Sequence, residues 1–267
     1  MIEVRVHRVI LSSPNDAVSW SLGILDSMSD YKKLVAEAKR RLKNASRDVA
    51  HDLQHHERVW KVCQEIVKSE NLSLNTSLLK ISVYWHDVVV GEEKWPSILM
   101  VRETCDVLKK LMRENKFKPS ESKIVIEAVL YHEFRNTPKS VEGLVLQDAD
   151  KLEALSEERW SQTLQAYRNG AMTSERLASY ATTFLKWIPI ISATFHYSYS
   201  RKTANERIAA FWDDAQWQQV IDELGLENQY LNSKKSINSF RSQFFCYFLM
   251  TKNIVLKMKI KLFATIF

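Results

Sequence analysis

Glycine and proline are scarce in this sequence, with five of each in 267 residues, so turns are few and helices should dominate. The three cysteines, Cys63, Cys105 and Cys246, lie far apart with no paired spacing. That excludes both a disulfide scaffold and a cysteine zinc site, and it fits a reducing, cytoplasmic interior. No run of about 18 apolar residues occurs, so no membrane span is expected. The opening MIEVRVHRVILSS lacks a long uncharged apolar core, so no signal peptide is expected either. Acidic residues are missing from the end of the chain: from Lys234 onward there are seven basic residues and no acid. Without those seven, 31 basic residues face 32 acidic ones. The net charge of +6 therefore belongs to the tail, and the main body carries no electrostatic signature of nucleic-acid binding. Three nucleotide or acyl-transfer signatures are also absent: the phosphate-cradling GxxxxGK[ST], the GxSxG elbow and the GxGxxG turn.

What is present reads as helix after helix. Residues 1–28 form a leader with a strand-like start (Ile2, Val4, Val6). From Ser29, Leu34, Ala38 and Leu42 recur at four-residue spacing. The pattern predicts a second helix from Ser46 or Asp48 to about Lys68, with Val59, Val62, Cys63, Ile66 and Val67 as its stripe. A third is predicted from Asn75 or Thr76 to Gly91. A fourth opens at Trp95-Pro96-Ser97 and carries Ile98, Val101, Cys105, Leu108 and Met112. A fifth is capped by Ser120, and a sixth runs from Leu144 to Tyr167. Helices follow at Leu177–Trp187, interrupted near Pro189, and at Thr203–Leu224. The expected organisation is a leader (1–28), a helical domain (29–230) and a basic, apolar tail (231–267). In the tail, lysine–apolar alternation fits a strand better than a helix.

Three places put polar chemistry inside apolar patterns. The first is HDLQHHERV, with His51, Asp52, His55 and His56; His51 and His55 are four apart and so share a helix face. The second is YWHDVVVG, where His86 and Asp87 interrupt a run of Tyr, Trp and Val. The third is LQDADKLEAL, with Asp148 and Asp150. Burying such groups costs several kcal/mol unless each finds a partner. Each has an ordinary explanation when taken alone: a hydrogen-bonded core histidine, a helix cap, an Asp150–Lys151 ion pair, a solvated face. Jointly they suggest a shared divalent metal, which lets buried carboxylates stay ionised and accepts imidazole lone pairs. Mixed nitrogen and oxygen ligation suits Mn, Mg, Fe, Ni, Co or Zn without choosing among them.

The order of these motifs resembles the HD-domain metal-dependent phosphohydrolase superfamily over residues 30 to 215. It is most similar to a bacterial-type subgroup with an HDxxHxxRV helix and a later QDADRLEALG. The resemblance implies an all-α, HD-domain helical bundle with a divergent C-terminal tail. It implies His55, His86, Asp87 and Asp150 as metal ligands, with Asp148 in an outer shell. His132, in YHEFRN, is implied as a phosphate contact or proton-transfer group, and His51 as a further outer-shell residue. Lys151 is implied as a phosphate ligand. The chain departs from the subgroup at Trp95-Pro96-Ser97, where relatives carry RSS, and at Ser156, where they carry glycine.

The activity implied is hydrolysis of a phosphate ester or anhydride by a metal-activated water, with His132 or Asp148 relaying the proton. Arg201 and Lys202 are candidate contacts to further phosphates. The expected substrate is a nucleotide or related phosphorylated metabolite. Two rivals are a non-catalytic HD-type protein that senses a nucleotide, and a nucleic-acid-associated protein acting through the basic tail.

Overall fold

The computed structural model describes residues 30–44, 51–88 and 98–236. Among them are eleven helices and no strand. They are α1 (30–44), α2 (Leu53–Ser69), α3 (Thr76–Trp85), α4 (Ile98–Glu114), α5 (Pro119–Leu130), α6 (Val141–Ala154), α7 (Glu157–Arg168), α8 (Ser174–Ser192), α9 (Ser198–Asp213), α10 (Ala215–Glu223) and α11 (227–236). The all-α expectation holds. No described helix is long and apolar enough to cross a membrane. The strand-like leader, the opening of α4 at Trp95–Ser97 and the alternating tail lie outside the described residues.

Helix α6 is the centre of the molecule, packed against α2, α3, α5 and α9. It is buried nearly all round, as expected of a helix with neighbours on every side. Two apolar cores flank it. One is shared by α1, α3, α4 and α5, where Leu34, Ala38 and Leu42 meet Ile81, Trp85, Leu108 and Met112. The other joins α2 and α6 to α7–α11 and is rich in aromatic rings. There Trp160 lies 3.8 Å from Phe184 and 4.7 Å from Trp217, centroid to centroid. The predicted stripes at Val59–Ile66 and Val101–Met112 are buried as their periodicity required; each fully buried aliphatic side chain contributes about 1.5–3 kcal/mol.

Helix ends depart from expectation wherever a side-chain oxygen or a proline decides. Helix α2 begins at Leu53, because the Asp52 carboxylate accepts the His55 N–H at 2.7 Å. Helix α3 ends at Trp85 rather than Gly91. Helix α5 begins at Pro119, so Ser120 lies inside it and is not its cap. The predicted sixth helix is two, because the Ser156 hydroxyl accepts the Arg159 N–H and starts α7 afresh. Asp214 likewise divides the predicted Thr203–Leu224 helix by capping α10.

Pro189 does not interrupt α8. Proline has no N–H for the carbonyl four residues back, which is that of Leu185. The buried Ser233 hydroxyl on α11 donates to this carbonyl at 2.6 Å instead. A neighbouring helix thus fills the gap, and the proline is tolerated.

Candidate metal centre

Three helices converge on one spot. The Asp52 cap fixes the first turn of α2 and aims His55 inward. Apolar α3 carries His86 at its C-terminal end, with Asp87 in the turn that follows. Helix α6 contributes Asp150 and, three residues on, Glu153. His55 Nε2 lies 3.1 Å from His86 Nε2 and 3.5 Å from Asp150 Oδ1. His86 Nε2 lies 3.8 Å from Asp150 Oδ1 and 3.2 Å from Asp87 Oδ2. His132, at the end of α5, places Nε2 3.4 Å from Asp87 Oδ1. His55, His86, Asp87 and His132 are buried, whereas Asp150 is 28% exposed.

The far nitrogens of the rings settle where their protons sit. His86 Nδ1 donates to Val83 O at 2.7 Å and His132 Nδ1 to Val129 O at 2.6 Å. A carbonyl can only accept, so both Nδ1 atoms carry hydrogen. His55 Nδ1 donates to the Glu153 carboxylate at 2.8 Å. In their neutral forms His55 and His86 therefore turn bare Nε2 lone pairs toward each other. Two lone pairs 3.1 Å apart repel unless a positive charge answers them. Together with the Asp150 and Asp87 oxygens, this donor set suits a divalent cation. His55, His86 and Asp150 can hold one ion between them.

Charge in the cluster follows the same logic. Burial alone would lower the His132 imidazole, but its hydrogen bond to the Asp87 carboxylate prevails and holds it up at about 9. Burial likewise opposes a charged His86, and Asp87 again prevails and raises it. Burial works against the Asp87 anion, yet His86 and His132 hold its carboxyl well below the usual range. His56 points elsewhere: its Nδ1 donates to Asp52 O at 2.8 Å. Burial, then His86 and His55, press its imidazole well below the usual value.

A cavity of about 350 Å³ opens beside the cluster. Its lining combines polar groups from His51, Asp87, His132, Asp150, Lys151 and Arg159 with the aromatic rings of Phe134, Tyr180, Phe184 and Trp187. His51 sits ahead of α2, not on a helix face shared with His55, though it reaches the same cavity. Asp148 does not line the cavity. Its carboxylate accepts the His196 and Tyr197 N–H groups and meets Lys151 Nζ at 3.1 Å. Lys151 Nζ also donates to Thr194 O at 2.6 Å. Arg201 is turned to the carbonyls of Phe195 and His196, and Lys202 is exposed near Glu206; neither lines the cavity. Three residues with no role expected from their sequence, Glu153, Arg159 and Tyr180, also belong to the site. A salt bridge across the α6–α7 break joins the first two, and Arg159 Nε donates to Tyr180 OH.

Fold and site together define a helical bundle with a candidate metal centre opening on an amphipathic cavity. The HD domain family model matches residues 52–155, the stretch that carries all of the converging side chains. Residues 52–155 thus resemble an HD domain in sequence, and the fold around them is that of the bundle described above. Solved structures share the fold. A protein from an uncultured Thermotogales bacterium, described as a predicted HD superfamily hydrolase, is 21% identical with a TM-score of 0.51, over 72% of this chain and 91% of its own. Bacillus subtilis YpgQ, in complex with ADP, is 18% identical with a TM-score of 0.53, over 74% of this chain and 96% of its own. A Lactobacillus plantarum protein is 16% identical with a TM-score of 0.54, over 72% and 95%. No curated protein matches the sequence.

Proposed function

We propose that the protein hydrolyses a phosphate ester or anhydride of a nucleotide or related metabolite, with a divalent cation held by His55, His86, Asp87 and Asp150. The observation that carries this reading is the convergence of the His55 and His86 Nε2 lone pairs with Asp150 Oδ1 at 3.1–3.8 Å, beside a cavity that His55 and Asp150 line. A divalent cation there supplies Lewis-acid polarisation of phosphoryl oxygens and brings the pKa of water down toward neutrality.

The chain's own residues do the rest. Asp150, the most open of the four, lines the cavity, so an ion that it holds would be accessible to an arriving phosphoryl group. His132 has Nδ1–H committed to Val129 O and holds or releases a proton at Nε2, beside Asp87 Oδ1. Lys151 and Arg159 bring positive charge to the cavity wall for phosphate oxygens. Asp148 holds Lys151 in position. Phe134 and Trp187, with ring centroids 5.2 Å apart, offer an aromatic corner suited to a nucleobase. The ADP complex of YpgQ favours a nucleotide over other phosphorylated compounds.

The test is release of phosphate or pyrophosphate from a panel of nucleotides and an aryl phosphate by the purified protein with Mn²⁺. Turnover that a chelator abolishes and Mn²⁺ restores is the expected result. Nucleotide binding without turnover of any substrate would assign the protein to sensing instead.

A further inference from the structure

Glu153 sits behind His55 and does not itself line the cavity. It is a carboxylate, 1% exposed, placed one turn after Asp150 on α6. Its Oε2 accepts His55 Nδ1–H at 2.8 Å and the Arg159 guanidinium at 3.1 Å, and its Oε1 accepts Arg58 Nε at 2.7 Å. Both oxygens are engaged from different helices, so the carboxylate cannot swing away. Two guanidinium groups offset the cost of burying it.

His55 is distinctive among the four imidazoles packed here. The Nδ1 atoms of His86, His132 and His56 all face backbone carbonyls, whereas that of His55 faces the Glu153 carboxylate at 2.8 Å, with Arg159 Nη1 further off at 3.3 Å. A carboxylate acceptor fixes the tautomer, orients the ring and makes the opposite nitrogen a better donor.

We propose, resting on the metal-site reading above, that Glu153 is a positioning residue. It locks His55 as the Nδ1–H tautomer so that Nε2 is presented to the ion, and Arg58 and Arg159 in turn hold the carboxylate. Because Arg159 also lines the cavity, Glu153 ties the metal centre to the wall that meets substrate.

The first measurement needs no variant. Nitrogen-15 NMR of the metal-free protein at pH 8 reads the His55 tautomer directly. The Nδ1–H form is expected, and an Nε2–H form overturns the proposal. The second compares Mn²⁺ or Co²⁺ affinity in the wild type and in Glu153→Gln, which keeps an acceptor but loses the charge. Metal binding about 10- to 100-fold weaker is expected, with a near-unchanged melting curve for the metal-free protein and an altered visible spectrum for the Co²⁺ form. Unchanged affinity and spectrum in a folded variant overturn the proposal. If the wild type itself binds neither ion, the metal-site reading fails first, and the tautomer measurement still decides the role of Glu153.

Discussion

The molecule buries two clusters of rings, and they obey different rules. Around Trp160, the rings of Phe184, Phe211, Trp212 and Trp217 pack edge-on and tilted at 3.8–5.6 Å. Among the described residues this cluster leaves the indole N–H groups of Trp160, Trp212 and Trp217 without a hydrogen-bond partner, a loss repaid by the apolar area around them. Around His86, the imidazoles of His55, His56 and His132 lie at similar separations, 4.6–5.2 Å. Each nevertheless has its Nδ1 tied to a named acceptor, and carboxylates stand opposite the Nε2 atoms of His55, His86 and His132, though not that of His56. Packing stabilises the first cluster. The second holds together through placed charge, at a cost in stability.

Substitutions should separate the two. Asp150→Ala is expected to lower turnover by about 10³-fold or more, since several kcal/mol of transition-state stabilisation pass through the ion. The metal-free variant should melt close to the wild type, because Asp150 is 28% exposed and its nearest partners are two imidazoles rather than core packing. Parallel assay and thermal melt check both halves, and a large drop in stability would erase the contrast. Trp160→Ala should do the reverse and cost about 3–5 kcal/mol in a urea titration.

The pH response sharpens the comparison further. The His132 imidazole is held up at about 9 in the fold, against about 6.5 unfolded. Its stabilising contribution is therefore complete below about pH 6.5 and is lost as pH rises to about 9, at no more than about 1.4 kcal/mol per pH unit. The metal-free protein should lose stability across that window, and Asp87→Asn, which removes the cause, should flatten the loss. The aromatic cluster has no such dependence.

The ease of reading these features from the sequence follows from their physics. Apolar stripes such as Val59–Ile66 depend on periodicity alone and were legible. Polar residues inside apolar runs pointed to a common site but left His55 and His56, and Asp148 and Asp150, as alternatives; only the resemblance of the motif order to HD domains singled out His55, His86 and Asp150, which the fold brings together. Boundaries were harder. Ser156 reads as one more helical residue until its hydroxyl is seen capping Arg159. Pro189 reads as a break until the hydroxyl that answers Leu185 is found 44 residues further on. Glu153 was hidden for the opposite reason: a glutamate in a helix is ordinary, and nothing in its spacing reveals that it faces His55, Arg58 and Arg159 at once.

That hydroxyl has a reach beyond its own hydrogen bond. The stretch of α8 around Pro189 also carries Phe184, Trp187 and Ile191 into the cavity, so the aromatic lining of the pocket leans on a helix that never touches it. Ser233 acts as a buttress from outside, making the firmness of that lining a property of the last described turns of the chain.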